Sequence, residues 1–170
     1  MNYIKLKRDK IDKCNICLQV KSLTWDHVPP KSGIIISPME IDNISKLLTN
    51  KMEPRMLISQ NGVRYRTICG DCNSKIGRDY DCVLNSLNKD VSLFLKSALH
   101  FFSYTYIKTK PVRLIKAILG HLMSAKELVD DFAFDTKIRK YLFSETEILS
   151  DDINIFYWIY PYNCISEMHR

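Results

Sequence analysis

Four cysteines in two Cys-x-x-Cys pairs, Cys14/Cys17 and Cys69/Cys72, stand on either side of the Asp26-His27 dipeptide, and the second pair runs straight into Asn73. Four thiolates at this spacing close a tetrahedral zinc site, and closing it brings Asn73 toward the segment that carries Asp26 and His27. A structural Zn²⁺ held by Cys14, Cys17, Cys69 and Cys72 would therefore assemble a second site of different chemistry. The main rival is a redox pair. Redox chemistry needs only one Cys-x-x-Cys, and neither Asn15-Ile16 nor Gly70-Asp71 sits in a βαβ pattern.

These residues need elements to position them. Leu23-Thr24-Trp25 is a short β-like run that leads into Asp26-His27-Val28 and stops at Pro29-Pro30, which cannot donate ladder hydrogen bonds. A second strand is predicted over 63–68. The insertion of about 30 residues between them is long for a structureless loop. Within it Ser37-Pro38-Met39-Glu40 reads as a capping box with proline at N1, and Ile41, Ile44, Leu47 and Leu48 follow at helical spacing, predicting a helix over 38–49. That insertion also explains why Cys17 and Cys69 lie farther apart than in an ordinary zinc finger. After the second cysteine pair a helix is predicted over 73–87, with Ile76, Tyr80, Val83, Leu84 and Leu87 as its apolar stripe. Amphipathic helices over 89–104 and 111–128 and a short one over 135–143 come next. The β-branched and aromatic stretch 153–160 predicts a strand, with another near 164–168.

With 170 residues and 46% hydrophobic content the chain can bury one core, or a small metal-stapled module plus a helical region. Residues 1–85 hold 14 basic against 9 acidic side chains, while 86–170 hold 11 against 10. The half with the cysteines is thus the half that attracts polyanions. No signal peptide precedes Cys14 and no apolar run reaches membrane-spanning length, so a cytoplasmic chain with no membrane partner is expected. In a reducing compartment paired cysteines point to metal rather than disulfides. Cys82 and Cys164 belong to no motif and are expected as buried small apolar residues.

Three groups of residues carry a family resemblance: Cys14-Asn15-Ile16-Cys17; Leu23-Thr24-Trp25-Asp26-His27-Val28-Pro29-Pro30-Lys31; and Cys69-Gly70-Asp71-Cys72-Asn73-Ser74-Lys75-Ile76-Gly77. Together they resemble the HNH endonuclease family in its zinc-bearing form with a ββα-metal fold. They match its cysteine knuckle, its Asp-His-x-x-Pro strand end and its Cys-x-x-Cys-Asn-x-x-Lys-x-Gly helix start. The resemblance spans about 14–80 and is silent on 90–170. It implies that Asp26 and Asn73 ligate a catalytic divalent cation, Mg²⁺ or Mn²⁺, and that His27 is the general base for phosphodiester hydrolysis in DNA. Small nucleases of this kind are often toxic effectors in bacterial antiviral defence, an analogy of family rather than of residues. One departure stands out. The family's middle Asn, which braces the loop of the catalytic His, is replaced here by Arg64, with Asn43 and Asn61 as candidate substitutes.

The implied roles suit the residue types. A hard cation takes oxygen donors, often one or two from protein and the rest from water and phosphate, so one carboxylate and one amide oxygen suffice. A neutral imidazole can take a proton from water near pH 7. Consecutive residues of a regular strand face opposite ways, so Asp26 and His27 can share one phosphate only where the strand is distorted, and Pro29-Pro30 is the expected cause. The plain alternatives are that His27 is a packed or capping histidine and that Asn73 is only a helix N-cap. Lys31, Arg64, Arg66, Lys75 and Arg78 are candidate phosphate contacts, each also readable as a solvated charge. His100 and His121 fall on amphipathic helices and are expected at the edge of the core.

The resulting expectation is an α+β protein. A zinc-stapled ββα-metal module occupies 1–88, and a mainly helical region over 89–170 closes with one or two strands and serves target choice, dimerisation or docking to a partner protein. The expected function is metal-dependent endonuclease activity on DNA. The alternatives are an inactive zinc-stapled module that binds nucleic acid or protein, and an RNase using the same site.

Overall fold

The computed structural model describes residues 8–31, 39–41, 57–59, 63–96, 106–126, 130–145, 149, 151 and 153–156. Strands β1 (Ile11–Lys13), β2 (Val20–Val28) and β5 (Val63–Cys69) form an antiparallel sheet in the order β1-β2-β5. The apolar run around Leu23 thus belongs to a nine-residue strand whose inward positions include Leu23 and Asp26. A separate two-stranded ladder pairs β3 (Met39–Ile41) with β4 (Leu57–Ser59). Of the helix expected over 38–49, residues 39–41 are therefore strand, and 38 lies outside the described residues. Met39-Glu40-Ile41 gains cross-strand partners in Leu57-Ile58-Ser59, and such pairing overrides a local capping signal. Residues 42–49 of that expectation lie outside the described residues.

Beyond β5 the chain turns directly into helix α1 (Gly70–Ile76), passes through a π-helical turn (Gly77–Asp81) and continues as α2 (Cys82–Lys96). The predicted helices over 73–87 and 89–104 are thus one rod as far as Lys96, and 97–104 lies outside the described residues. Helices α3 (Pro111–Ala125) and α4 (Ala133–Phe143) match the remaining two expectations. Proline opens α3, where its missing N–H costs nothing, and the Asp135 carboxylate accepts the Phe132 N–H at 2.9 Å to close the start of α4. Residues 153–156 belong to no strand, because β propensity needs a sheet edge to pair with and no described strand lies beside them. The rest of that segment and 164–168 lie outside the described residues. Cys82 is exposed rather than buried. It shares the open stripe of α2 with Ser86, Lys89 and Leu93, while Val83 and Leu84 turn partly inward.

One apolar cluster joins the two halves of the chain. Cys14, Ile16, Leu23, Ile68, Cys69, Cys72 and Ile76 pack with Leu119, Met123, Ile138, Tyr141 and Leu142. Burying each large aliphatic contributes about 1.5–3 kcal/mol. Polar ties reinforce the joint at Asn15, inside the first cysteine knuckle. Its amide donates to the carbonyls of Met123 (3.0 Å) and Lys126 (2.7 Å) at the end of α3, and its own carbonyl accepts Arg139 Nε from α4 at 2.7 Å. Gly120 permits the close approach of α3 to α1, since a Cβ there would lie 3.0 Å from Ile76 Cδ1. Among the described residues no helix is long and apolar enough to cross a membrane.

Candidate metal centre and the Asp26 to His27 strand

The four motif cysteines converge. Their Sγ atoms all lie within 4.8 Å of one another, and Cys17 Sγ is 3.8 Å from Cys69 Sγ. A zinc tetrahedron with Zn–S bonds of about 2.3 Å has S···S edges of about 3.8 Å, so the donor set fits Zn²⁺ both in softness and in size. The backbone prepares the site. Leu18 N–H donates to the Cys14 carbonyl at 2.9 Å with Leu18 at φ 61°, which closes the first knuckle, and Cys69 N–H points at Cys14 Sγ at 3.3 Å. A hydrogen bond from Cys72 and backbone N–H groups hold the Cys14 thiol at about 4 in spite of burial. Cys72 is pushed up, first by that same bond and then by burial. The four sulfurs are thus crowded together, an arrangement that a divalent cation binding them as thiolates would relieve.

Residues 26–28 pair in regular register: Asp26 opposite Tyr65, His27 opposite Arg64, Val28 opposite Val63. The irregularity comes earlier, where Arg66 and Thr67 of β5 oppose the single Trp25. The distortion expected from Pro29-Pro30 is therefore a bulge in the partner strand, on the N-terminal side of Asp26. Alternation places Asp26 inward at 7% exposure, with Trp25 and His27 on the other side at 43% and partial exposure. His27 Nε2 is buried without a hydrogen-bond partner among the described residues. Burial, followed by the charges of Lys31 and Arg64, lowers the His27 pKa and favours the neutral ring.

The inward Asp26 meets a residue that no motif marked. Its Oδ2 lies 3.1 Å from Nδ1 of His121 on α3, and Nε2 of the same ring lies 2.9 Å from Asp81 Oδ1 at the end of the π turn. His121 is 4% exposed, deep in the fold rather than at the core edge. Burial alone would depress its pKa, but the carboxylates of Asp26 and Asp81 outweigh that and hold it at about 9, so both ring nitrogens donate at neutral pH. Only helical periodicity spoke for His121 in the sequence, and periodicity cannot tell an apolar neighbour from a pair of carboxylates.

This shift makes stability depend on pH. The folded pKa lies above the unfolded value of about 6.5, so the stabilisation is complete below pH 6.5 and is lost as pH rises through about 9, on the order of 3 kcal/mol in all. Melting of zinc-loaded protein without added divalent cation should weaken across this window, and His121→Asn should flatten the slope. Equal slopes for the two proteins would mean that His121 is neutral in the fold.

Asn73 lies inside α1, whose N-cap is Cys69, so it is not the cap. Its amide nitrogen donates instead across to β2, to Thr24 Oγ1 and to the Trp25 carbonyl, both at 3.2 Å. Its amide oxygen has no partner among the described residues, and neither has Asp26 Oδ1. The turn from the second cysteine pair into α1 thus brings Asn73 to the residue immediately before Asp26.

The five basic candidates divide. Arg64 and Arg66 lie over the Trp25 ring, 5.3 and 5.4 Å from its centroid, and Arg66 also donates to the Arg8 carbonyl from Nε and Nη2. Lys31 and Arg64 are the two cations felt by His27. Lys75 lies over the Phe143 ring and Arg78 pairs with Asp79 at 2.8 Å, so both have partners on the helical side. Asn43 and Asn61 lie outside the described residues.

Comparison of the chain with family models, curated proteins and solved structures finds no match in any of the three.

Proposed function

We propose that this chain is a metal-dependent endonuclease of the HNH kind, hydrolysing phosphodiester bonds in DNA on a zinc-stapled ββα-metal scaffold. One observation carries the reading. Asn73 of α1 is hydrogen-bonded to the carbonyl of Trp25, just before the consecutive Asp26 and His27, so all three motif residues lie along one short stretch of β2, with Asp26 on its inner face and His27 on its outer one. The ladder stops at Val28, one pair beyond His27, so a phosphate laid across the strand end meets groups from both faces.

Asp26 Oδ1 and the Asn73 amide oxygen would hold Mg²⁺ or Mn²⁺. When bound, such a cation draws charge from the scissile phosphate and steadies the leaving oxygen. The neutral His27 ring would take a proton from water as the water oxygen bonds to phosphorus, while the ester P–O bond breaks and the departing oxygen takes a proton from solvent. Arg64 and Lys31 attract the polyanion, and Arg66, stacked with Trp25, stiffens that face. An inactive binding module is the second reading, favoured by the Asp26–His121 pairing, which by itself would also suit a purely structural carboxylate.

The test is cleavage of supercoiled plasmid and of single-stranded RNA by zinc-loaded protein, with and without Mg²⁺ or Mn²⁺. Cation-dependent products from DNA support the reading; products from RNA alone convert it to an RNase. No product from either substrate leaves the binding module.

Asn73 provides a finer check. Asn73→Ala forfeits two hydrogen bonds, about 1–3 kcal/mol of stability, yet should reduce cleavage by far more than that loss of folded protein explains. Asn73→Asp sets a carboxylate against the Trp25 carbonyl, so it should lower the melting temperature and shift the Mg²⁺/Mn²⁺ preference. Wild-type metal dependence in both variants would confine Asn73 to fastening α1 onto β2.

A further inference from the structure

We infer that Asp81 and His121 form a positioning chain that fixes the Asp26 carboxylate for cation binding, so that the helical half of the protein completes the site. The inference rests on the reading of Asp26 as an oxygen donor to a divalent cation.

Two observations and one energetic argument support it. Asp26 is held by one oxygen only: His121 Nδ1 takes Oδ2 at 3.1 Å and leaves Oδ1 without a partner among the described residues. A carboxylate tethered in this way can no longer turn freely about its last torsion, and the free oxygen keeps one direction. Next, the tether is itself fixed. His121 Nε2 donates to Asp81 Oδ1 at 2.9 Å, and Gly120, one residue earlier, lets α3 lie close against Ile76, whose Cδ1 would be 3.0 Å from an added Cβ. Asp81 in turn is the last residue of the π turn. A π turn adds one residue to the helical circuit and rotates the helix beyond it, and such turns recur at functional sites.

Finally, stability alone is a weak reason to keep the trio. Breaking a buried ionic pair is costly, but an apolar set of similar volume is often as stable or more so. Groups that orient a metal ligand from outside, by contrast, commonly change metal affinity 10–100-fold. The chain also answers the missing middle Asn. The brace comes from His121, 95 residues after Asp26, and acts on the carboxylate rather than on the His27 loop.

The experiment uses the zinc-loaded full-length chain and reads Mn²⁺ affinity directly, from the electron paramagnetic resonance signal of free Mn²⁺, alongside plasmid cleavage. In His121→Asn the amide nitrogen falls near the position of Nδ1 and can still donate to Asp26. In His121→Gln it falls near Nε2 and can reach Asp81 but not Asp26. His121→Gln should weaken Mn²⁺ binding about 10–100-fold and raise the cation concentration for half-maximal cleavage in parallel, while His121→Asn recovers most of the affinity.

Asp81→Ala, at the more accessible end of the chain, keeps the core intact and should weaken binding by a smaller factor. If either His121 variant fails to fold, Asp81→Ala decides. Equal Mn²⁺ affinity in the wild type and every folded variant overturns the inference, even if DNA is cut. A wild type that binds no Mn²⁺ overturns it as well. If the wild type binds Mn²⁺, the variants order as stated and no nucleic acid is cut, the positioning chain stands and the nuclease reading falls.

Discussion

Cys69→Ser protein is expected to lose zinc and most of its fold together. Cys69 is the last residue of β5 and the N-cap of α1, and it lies in the same apolar cluster as Leu119 and Met123. Its sulfur is 3.8 Å from that of Cys17, so the metal would join the first knuckle to the sheet and to the rod at once. Structural zinc contributes about 10–16 kcal/mol of apparent binding energy in small zinc modules at pH 7. The net stability of a whole domain is only about 5–15 kcal/mol. Removing one of four thiolates therefore takes away an amount comparable to everything the fold has to spare. Elemental analysis should find one zinc per wild-type chain and little in the variant, with circular dichroism reporting loss of helix. A metal-free wild type, or an unchanged melting temperature for Cys69→Ser, would overturn this account of the cluster.

His27→Ala should behave in the opposite way, abolishing cleavage while the protein stays folded. His27 is only partly buried, on the face of β2 away from the core, and its Nε2 makes no hydrogen bond among the described residues. Little stability is at stake. Loss of a general base typically costs 10²–10⁴-fold in rate. The variant should keep its zinc, its melting temperature within a few degrees and its affinity for DNA, since Arg64 and Lys31 remain. Cleavage at an undiminished rate would remove the general-base assignment. Loss of DNA binding along with cleavage would recast His27 as a contact residue.

Several features were legible in the sequence because their signals are local. Cysteine spacing announced the cluster of four sulfurs. Apolar periodicity placed α3 and α4 within a few residues, and the strand expected over 63–68 is β5. The features that escaped are those that depend on distant partners. Met39-Glu40-Ile41 carried a helix-start signal, yet pairs as strand with Leu57-Ile58-Ser59. The run Gly77–Asp81 reads as ordinary helix, because nothing in five residues declares the extra one that makes a π turn. The helix expected to start at Asn73 begins at Gly70, so the alternative reading of Asn73 as its cap fails and the side chain reaches across to β2 instead. His121, the largest omission, sits in the apolar stretch Leu119-Gly120-His121-Leu122, and only the folded chain reveals that Asp26 and Asp81 await it.

The position of His121 along the chain also bears on biosynthesis. Every motif residue, from Cys14 to Asn73, is made before α3 exists. The apolar face of Leu23, Ile68 and Ile76 stays open until Leu119, Met123 and Ile138 arrive to cover it. A truncated translation product or a fragment clipped ahead of α3 would carry the whole motif and still lack both its brace and its cover. If the intact chain cuts DNA and His121 braces its site as inferred, competence arrives late in synthesis.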